Sequence, residues 1–377
     1  MKNSIKKILI THSSNDNYGA SKVLISIINI LIKNGFDIYL ILPNNGPLNK
    51  NITIKKTNLQ IINLGVFRKK YFTFFGLINR LYFIIKSSLY IKKFLKKNQI
   101  DLVYTNTSTL ISPSIAAKLA GTPSIYHVHE IPKSSSIYAK FIAVFLNNFA
   151  RNIICVSKSV KEFWINSGVN KNKLKIIYNG FNFKNSKSKN LKDDKIVFTC
   201  ISRIIPYKGH LILVELFDKL CKINNKIYLQ IVGDTLPEYQ NYLIDLKFKI
   251  KKKGLSKNIS FLGFQENTLK ILSKSSFFIH TPISPDPLPT VIFEAIMSRT
   301  PVITNDLGGA YEILNNGING LIINNDDINK SSKLIINYLK NQTQQTLNVE
   351  KAFEYVKSNF NYNKFENRIN STINKYV

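Results

Sequence analysis

"IVFTCISRIIPYKGHLI", residues 196–212, reads as a buried strand ending at Ser202, a proline turn, and a helix opened by Gly209. A continuous apolar run rich in β-branched and aromatic residues is what a strand covered on both faces presents. Proline and glycine then punctuate the passage from strand to helix. The same unit recurs along the chain. "KKILITHS", "DIYLILP", "DLVYTNT", "SIYHVHE" and "NIICVSK" in the first half, and "IYLQIVG", "ISFLGF", "FFIHT", "PVITN" and "GLII" in the second, are short apolar runs separated by helical stretches. Strands alternating with helices predict parallel sheets with helical crossovers, the doubly wound α/β class.

The chain has 377 residues, more than one core usually supports, since single cores rarely grow past ~250–300 residues. "NFKNSKSKNLKDD", residues 182–194, is polar, lysine-rich and aperiodic, and reads as a linker. It places a first domain at 1–182 and a second at 183–355, with a C-terminal helix at 356–377 that returns to the first. An apolar fraction of 44% is globular composition and excludes a disordered chain. Cys155, Cys200 and Cys221 are odd in number and far apart, neither a disulfide framework nor a metal knuckle, which suits a reducing cytosol. The opening "MKNSIKKILITHSS" reads as a first strand and not as a signal peptide. Runs such as "VLISIINILI" fall short of the ~20 residues that span a bilayer.

The net charge is +31, from 53 basic and 22 acidic residues. Biased coding with solvated lysines accounts for such an excess as well as a polyanionic partner does. The charge concentrates in "RKKYFTFFGLINRLYFIIKSSLYIKKFLKK", residues 68–97. At helical spacing Leu77, Leu81, Ile84, Ile91 and Leu95 share a core face, and Tyr82, Lys86, Tyr90, Lys93 and Lys97 share the other. With Tyr71, Phe72, Phe74 and Phe75 upstream, the second face has the makeup of a surface attracted to anionic lipid headgroups, although an ordinary solvated face has it too. No zinc-finger, helix-turn-helix or RNP-like pattern supports a nucleic-acid partner.

Doubly wound sheets bind ligands beyond the carboxyl ends of their strands. The first such junction, "THSSNDNYGASKVL", has neither a G-x-G-x-x-G nor a G-x-x-x-x-G-K-[ST] pattern, which disfavours nicotinamide cofactors and ATP hydrolysis. Gly19 stands there at the entry to a helix beginning near Ala20. In the second half Arg203 and Lys208 straddle the proline turn, where two cations can hold a diphosphate or simply face solvent. "LQIVGD" ends in Gly233 and Asp234, and "SFLGF" carries Gly263. In "SPDPLPTVIFEA", residues 284–295, Asp286 precedes a proline and is held extended. Pro289 fits a first helical turn, Glu294 a second, and the free N–H groups of Thr290 and Val291 make an anion site. Two acids separated by seven residues thus flank a phosphate-sized site. Gly308 and Gly309 in "NDLGGAYEIL" allow close backbone approach.

The ordered set "YGASKVL", "YHVHE", "SRIIPYKG", "IVGD", "FLGF" and "DPLPTVIFEAIMSRTPVITNDLGGAYEILNNGINGLII" resembles the family 4 retaining glycosyltransferases of GT-B fold, over roughly residues 5–325. The resemblance implies two Rossmann-like domains facing across a cleft that closes on its substrate about the 182–194 linker, with the C-terminal helix crossing back. It implies transfer of a hexose from a nucleotide-sugar donor to a lipid-linked or oligosaccharide acceptor, with retention, without metal or other cofactor, in bacterial surface polysaccharide assembly. A basic, aromatic first domain then fits peripheral attachment to the anionic inner face of the plasma membrane from the cytoplasm, with no nucleic acid involved. By the same resemblance Arg203 and Lys208 neutralise the leaving diphosphate, Glu294 binds the ribose and Asp286 contacts the moving sugar. Gly19, Gly233, Gly263, Thr290 and Val291 line the donor. The family's histidine over the reacting carbon corresponds to His129 or, as second choice, His127. Departures are Asp286 in place of a glutamate, Ser21 in place of an acid, and Pro289 in place of a glycine. A GT-B enzyme that processes nucleotide-sugars without transfer, such as an epimerase, and a basic nucleic-acid-binding protein remain the alternative readings.

Overall fold

The computed structural model describes residues 5–16, 19–52, 58–67, 71–132, 136–183 and 194–377. They divide into two units, residues 1–180 with 362–377, and residues 181–361. The boundaries expected from the sequence lay at 182/183 and 355/356. Residues 184–193 of the linker proposed as a hinge lie outside the described residues.

The first unit alternates β1 (Lys7–Thr11), α1 (Gly19–Lys33), β2 (Asp37–Leu42), β3 (Leu59–Ile61), α2 (Phe74–Asn98), β4 (Leu102–Thr105), α3 (Ser112–Ala120), β5 (Ser124–Val128), α4 (Ser136–Phe149), β6 (Asn152–Cys155), α5 (Lys158–Asn166) and β7 (Leu174–Ile176). The strands are all parallel, in the order β3-β2-β1-β4-β5-β6-β7. Every residue of β4 and β5 is buried, the consequence of helices on both faces. The edge strands β3 and β7 escape a sequence reading because each has only three residues, with a polar one between two apolar ones.

The second unit follows the same plan, with β8 (Ile196–Ile201), α6 (His210–Ile223), β9 (Ile227–Val232), α7 (Gln240–Lys252), β10 (Ile259–Gly263), α8 (Thr268–Leu272), β11 (Phe277–His280), α9 (Thr290–Met297), β12 (Val302–Thr304), α10 (Gly309–Ile313), β13 (Leu321–Ile322), α11 (Ile328–Lys340) and α12 (Gln342–Asn359). Its parallel order is β10-β9-β8-β11-β12-β13. Helix α12 stays with this unit through the buried Phe353 and Val356. The final helix, α13 (Tyr362–Ile373), returns to the first unit, where Phe365, Ile369 and Ile373 join the core of Ile8 and Leu31. Lys33 and Glu366 pair at 2.8 Å across the same contact.

Cys155 and Cys200 are buried on central strands and unpaired, and burial raises their thiols to about 12 and about 11, which keeps them unreactive. One expected core face needs correction. Ile84, Ile91 and Leu95 of α2 are buried, but Leu77 and Leu81 are 44% and 59% exposed, because the first turns of α2 stand away from the sheet's core. Tyr82, Lys86, Tyr90, Lys93 and Lys97 are exposed as expected. Among the described residues no helix is long and apolar enough to cross a membrane.

Candidate active site

Strand order reverses between β8 and β11 in the second unit, so the loops leaving those strands flank the crevice where doubly wound sheets bind ligands. The first loop carries Arg203 and Lys208. It folds back on itself through Ile205 N to Arg203 O (3.0 Å) and a short turn over Pro206–Lys208. Gly209 follows with φ +73, and a Cβ there would lie 1.8 Å from the carbonyl oxygen of Thr281. Only glycine lets the two loops approach this closely. They are also joined by Ile283 N to Tyr207 O at 3.0 Å.

Across this junction Lys208 Nζ forms an ion pair with Asp286, two groups that sequence reasoning nominated separately. Asp286 is further fixed by Gly309 N donating to its carbonyl (2.8 Å) and by a parallel bridge to Gly308. A Cβ on Gly308 would come within 2.3 Å of Asp286 O, so this glycine serves loop-to-loop docking. Buried His280 approaches the Asp286 carboxylate at 3.8 Å, and its Nε2 has no hydrogen-bond partner. Burial lowers its pKa to about 4 against the attraction of Asp286, so the ring is neutral near pH 7.

Glu294 faces a different element. Its Oε2 accepts from Thr268 Oγ1 at 2.7 Å, the first residue of α8 beyond β10. Thr290 and Val291 open α9, with no side chain capping their N–H groups. Pro289 occupies the cap position, one residue before the first turn expected for it, where its missing N–H is equally harmless. Arg203 is half-buried on the β8 loop. Gly233 is held by packing, since a Cβ would lie 2.0 Å from Ser202 O, and its N–H donates to Gly263 O at 2.8 Å. Gly263 adopts φ +65 with Asp234 alone near its Cβ position, at 3.9 Å.

In the first unit the corresponding reversal lies between β1 and β4. A chain of polar contacts gathers there: His129 Nε2 to Asn106 Oδ1 (2.9 Å), Asn106 Nδ2 to His12 Nδ1 (3.3 Å), His12 Nε2 to Ser21 Oγ (3.1 Å) and Ser21 Oγ to Asp16 Oδ1 (2.7 Å). His12 Nδ1 also lies 3.2 Å from Asn106 O, and the donor and acceptor roles along the chain depend on the tautomers of the two rings. Ser21, at the position where the family resemblance places an acid, donates to the Asp16 carboxylate. Burial and the neighbouring His127 and His12 hold the His129 pKa well below the ordinary range. Glu130 accepts from Thr107 Oγ1 (2.5 Å), Ser108 N and Oγ (3.2 Å each) and His129 N (3.2 Å), while burial pushes its pKa up. His127 is fully buried behind this group, its Nδ1 against Tyr104 Oη at 2.7 Å, with a pKa lowered to about 3. Gly19 is the first residue of α1.

Residues 181–355 match the glycosyl transferases group 1, and residues 18–184 match glycosyltransferase family 4. The chain belongs to these glycosyltransferases. Among curated relatives, an Escherichia coli UDP-Gal:alpha-D-GlcNAc-diphosphoundecaprenol alpha-1,3-galactosyltransferase is 29% identical over 65% of this chain and 67% of its own length. The Staphylococcus aureus capsular polysaccharide biosynthesis glycosyltransferase CapH is 28% identical over 59% of this chain and 64% of its own. Anabaena HepE, solved in complex with UDP-glucose, superposes with a TM-score of 0.81 at 23% identity, covering 98% of this chain and 99% of that one. This likeness shows the GT-B fold.

In this glycosyltransferase several site neighbours had no signal that a sequence reading used. His12, Asn106 and His280 are single polar residues at the ends of apolar runs, where they look like caps. Their position at strand carboxyl ends was the available signal. Asp16 lies in a loop whose contacts depend on the fold alone.

Proposed function

We propose that this glycosyltransferase moves a hexose from a nucleoside-diphosphate sugar to a lipid-linked saccharide, with retention and without a metal, in the assembly of a bacterial surface polysaccharide. The observation that carries the reading is the Lys208–Asp286 pair on the β8 and β11 loops of the second unit, at the reversal of strand order. Breaking an anomeric bond to a diphosphate builds negative charge on the leaving oxygens and positive charge on the sugar. Fixed cations and helix amides aimed at those oxygens favour that charge separation, often the largest single contribution to catalysis.

In this reading Lys208, Arg203 and the Thr290 and Val291 amides hold the diphosphate, and Asp286 meets the moving sugar. Glu294 binds the ribose, its carboxylate oriented by Thr268. His129 and Gly19 keep the roles the family resemblance implies. The acceptor hydroxyl attacks the anomeric carbon on the face from which the diphosphate departs, and its proton passes to the leaving phosphate oxygen. The charge of the acceptor anchor is argued from the sequence's basic excess, and the E. coli relative named above is described by a diphosphoundecaprenol-linked acceptor. Such an acceptor places the enzyme at the cytoplasmic face of the plasma membrane as a peripheral protein.

The test is transfer from UDP-, GDP-, ADP- and dTDP-sugars to lipid-linked saccharides in the presence of EDTA, with the anomeric configuration of the product read by NMR. One donor should give an acceptor-dependent product of retained configuration. Sugar isomerisation without acceptor, an inverted product, or activity abolished by EDTA would each contradict the assignment.

A further inference from the structure

Strand β11 ends on a histidine whose ring the proposed donor chemistry leaves without a task. His280 is buried, and its ring is fixed by its neighbours. Phe278, two residues back on the same face of the strand, lies nearly parallel to it, with 14° between the ring planes. Thr304 is its register partner on β12, with Oγ1 3.4 Å from His280 Nδ1. The other nitrogen, Nε2, is buried with no hydrogen-bond partner, and Asp286 Oδ2 stands 3.8 Å from it. The charged and titratable groups that act on the ring are Asp286 on the β11 loop, Lys208 on the β8 loop and His210 at the start of α6. Burial first, then Lys208 and His210, keep it neutral against the pull of Asp286.

A buried ring nitrogen without a partner costs free energy that an apolar side chain of similar size would not. Its neighbours decide the tautomer. With the proton on Nδ1, the Nε2 lone pair would face the Asp286 carboxylate, acceptor against acceptor. With the proton on Nε2, the N–H faces the carboxylate and Nδ1 accepts from the Thr304 hydroxyl. His280 is thus a donor held just beyond hydrogen-bond reach of Asp286. Lys208 pairs with the same oxygen, Asp286 Oδ2. A diphosphate that engages Lys208 draws this cation toward its own oxygens, and Oδ2 is left undercompensated in a sheltered place, where charge is costly. We propose that His280 is a positioning residue for Asp286: its Nε2–H takes Oδ2 when the donor diphosphate engages Lys208, and so turns the other carboxylate oxygen to the moving sugar. This role rests on the proposed diphosphate site and deepens that reading, since it assigns what holds Asp286 once Lys208 is shared.

The test uses the full chain with His280→Leu, which nearly keeps the side-chain volume and removes both nitrogens, and His280→Gln, which keeps a donor. His280→Leu should lower kcat at least ~10-fold. Its Tm should stay at the wild-type value or above, because a buried nitrogen without a partner is gone. His280→Gln should bring kcat back to within about threefold of the wild type. Both variants should bind the nucleoside diphosphate of the active donor as the wild type does, by calorimetric titration, since the ring acts on the carboxylate and not on the diphosphate. In an Asp286→Asn background, adding His280→Leu should lower kcat no further, the sign of one residue acting through another. In protein with 15N-labelled histidine, the His280 Nε2–H proton should move downfield when that diphosphate is added. Wild-type kcat in His280→Leu, a loss that His280→Gln does not recover, or an additive loss in the Asp286→Asn background would each overturn the role of His280. Failure of the wild type to bind the nucleoside diphosphate would instead overturn the diphosphate site itself.

Discussion

Replacing Lys208 with methionine removes a cation from the proposed diphosphate site and leaves the Asp286 carboxylate without its partner. The two consequences separate by measurement. The pair is sheltered but not sealed, with side chains 27% and 16% exposed. It therefore lies between exposed pairs, worth about 0–1 kcal/mol, and fully buried ones, whose rupture costs about 3–5 kcal/mol. A loss of about 2 kcal/mol should lower Tm by about 4–8 °C in a unit of this size. Loss of one preorganised charge partner for the leaving group should lower kcat by about 10²–10³. In Lys208→Met with Asp286→Asn no carboxylate is stranded, so most of the Tm loss should be recovered while kcat stays at least ~10² down. Calorimetric melts and steady-state transfer on the three proteins decide it. Turnover restored in the double variant would show that the pair only braces the loops, and would remove Lys208 from the diphosphate.

Gly209→Ala should destabilise the protein by more than ~2 kcal/mol, because alanine in the left-handed region costs about 1–2 kcal/mol and its Cβ would drive the two loops apart; denaturant melts give the loss, and the donor KM should rise with it. Thr268→Val removes the hydroxyl on Glu294 and should raise the donor KM several-fold with kcat nearly kept, whereas an equal kcat and kcat/KM loss would move Glu294 from ground-state binding to the transition state. His127, His210 and His280 are buried and neutral, with pKa values of about 3, 4 and 4 against an ordinary 6.5. The unfolded chain therefore binds more protons as pH falls below 6.5, so stability should be full above that value and decline toward pH 4. Melts from pH 7.5 to 4.5 should show the decline, and His280→Gln should flatten it.

The central strands were legible because parallel strands covered on both faces must be continuous apolar runs, and "LVYT" and "SIYHV" are buried throughout. Strands β3 and β7 carry no such run, since an edge position asks little of three residues. Leu77 and Leu81 follow the helical period of a core face, yet the period cannot say where neighbouring elements end. Asp286, Glu294, Arg203 and Lys208 stand out in the sequence as charged residues at strand ends and a helix start. That Lys208 meets Asp286 was not legible, because the contact follows from β8 lying beside β11. The bonds from His129 to Asp16 join residues 12–21 to Asn106 and His129, and the two long-range links follow from β1, β4 and β5 lying side by side.

In the proposed function the second unit grips a diphosphate through Arg203, Lys208 and the amides opening α9. Calorimetric titration of the full chain in EDTA, comparing the nucleoside diphosphate of the active donor with its monophosphate, tests this most directly. The diphosphate should bind at least tenfold more tightly, and Arg203→Ala with Lys208→Ala should abolish the difference. Equal affinity for the two nucleotides, or a preference that survives both substitutions, would contradict it.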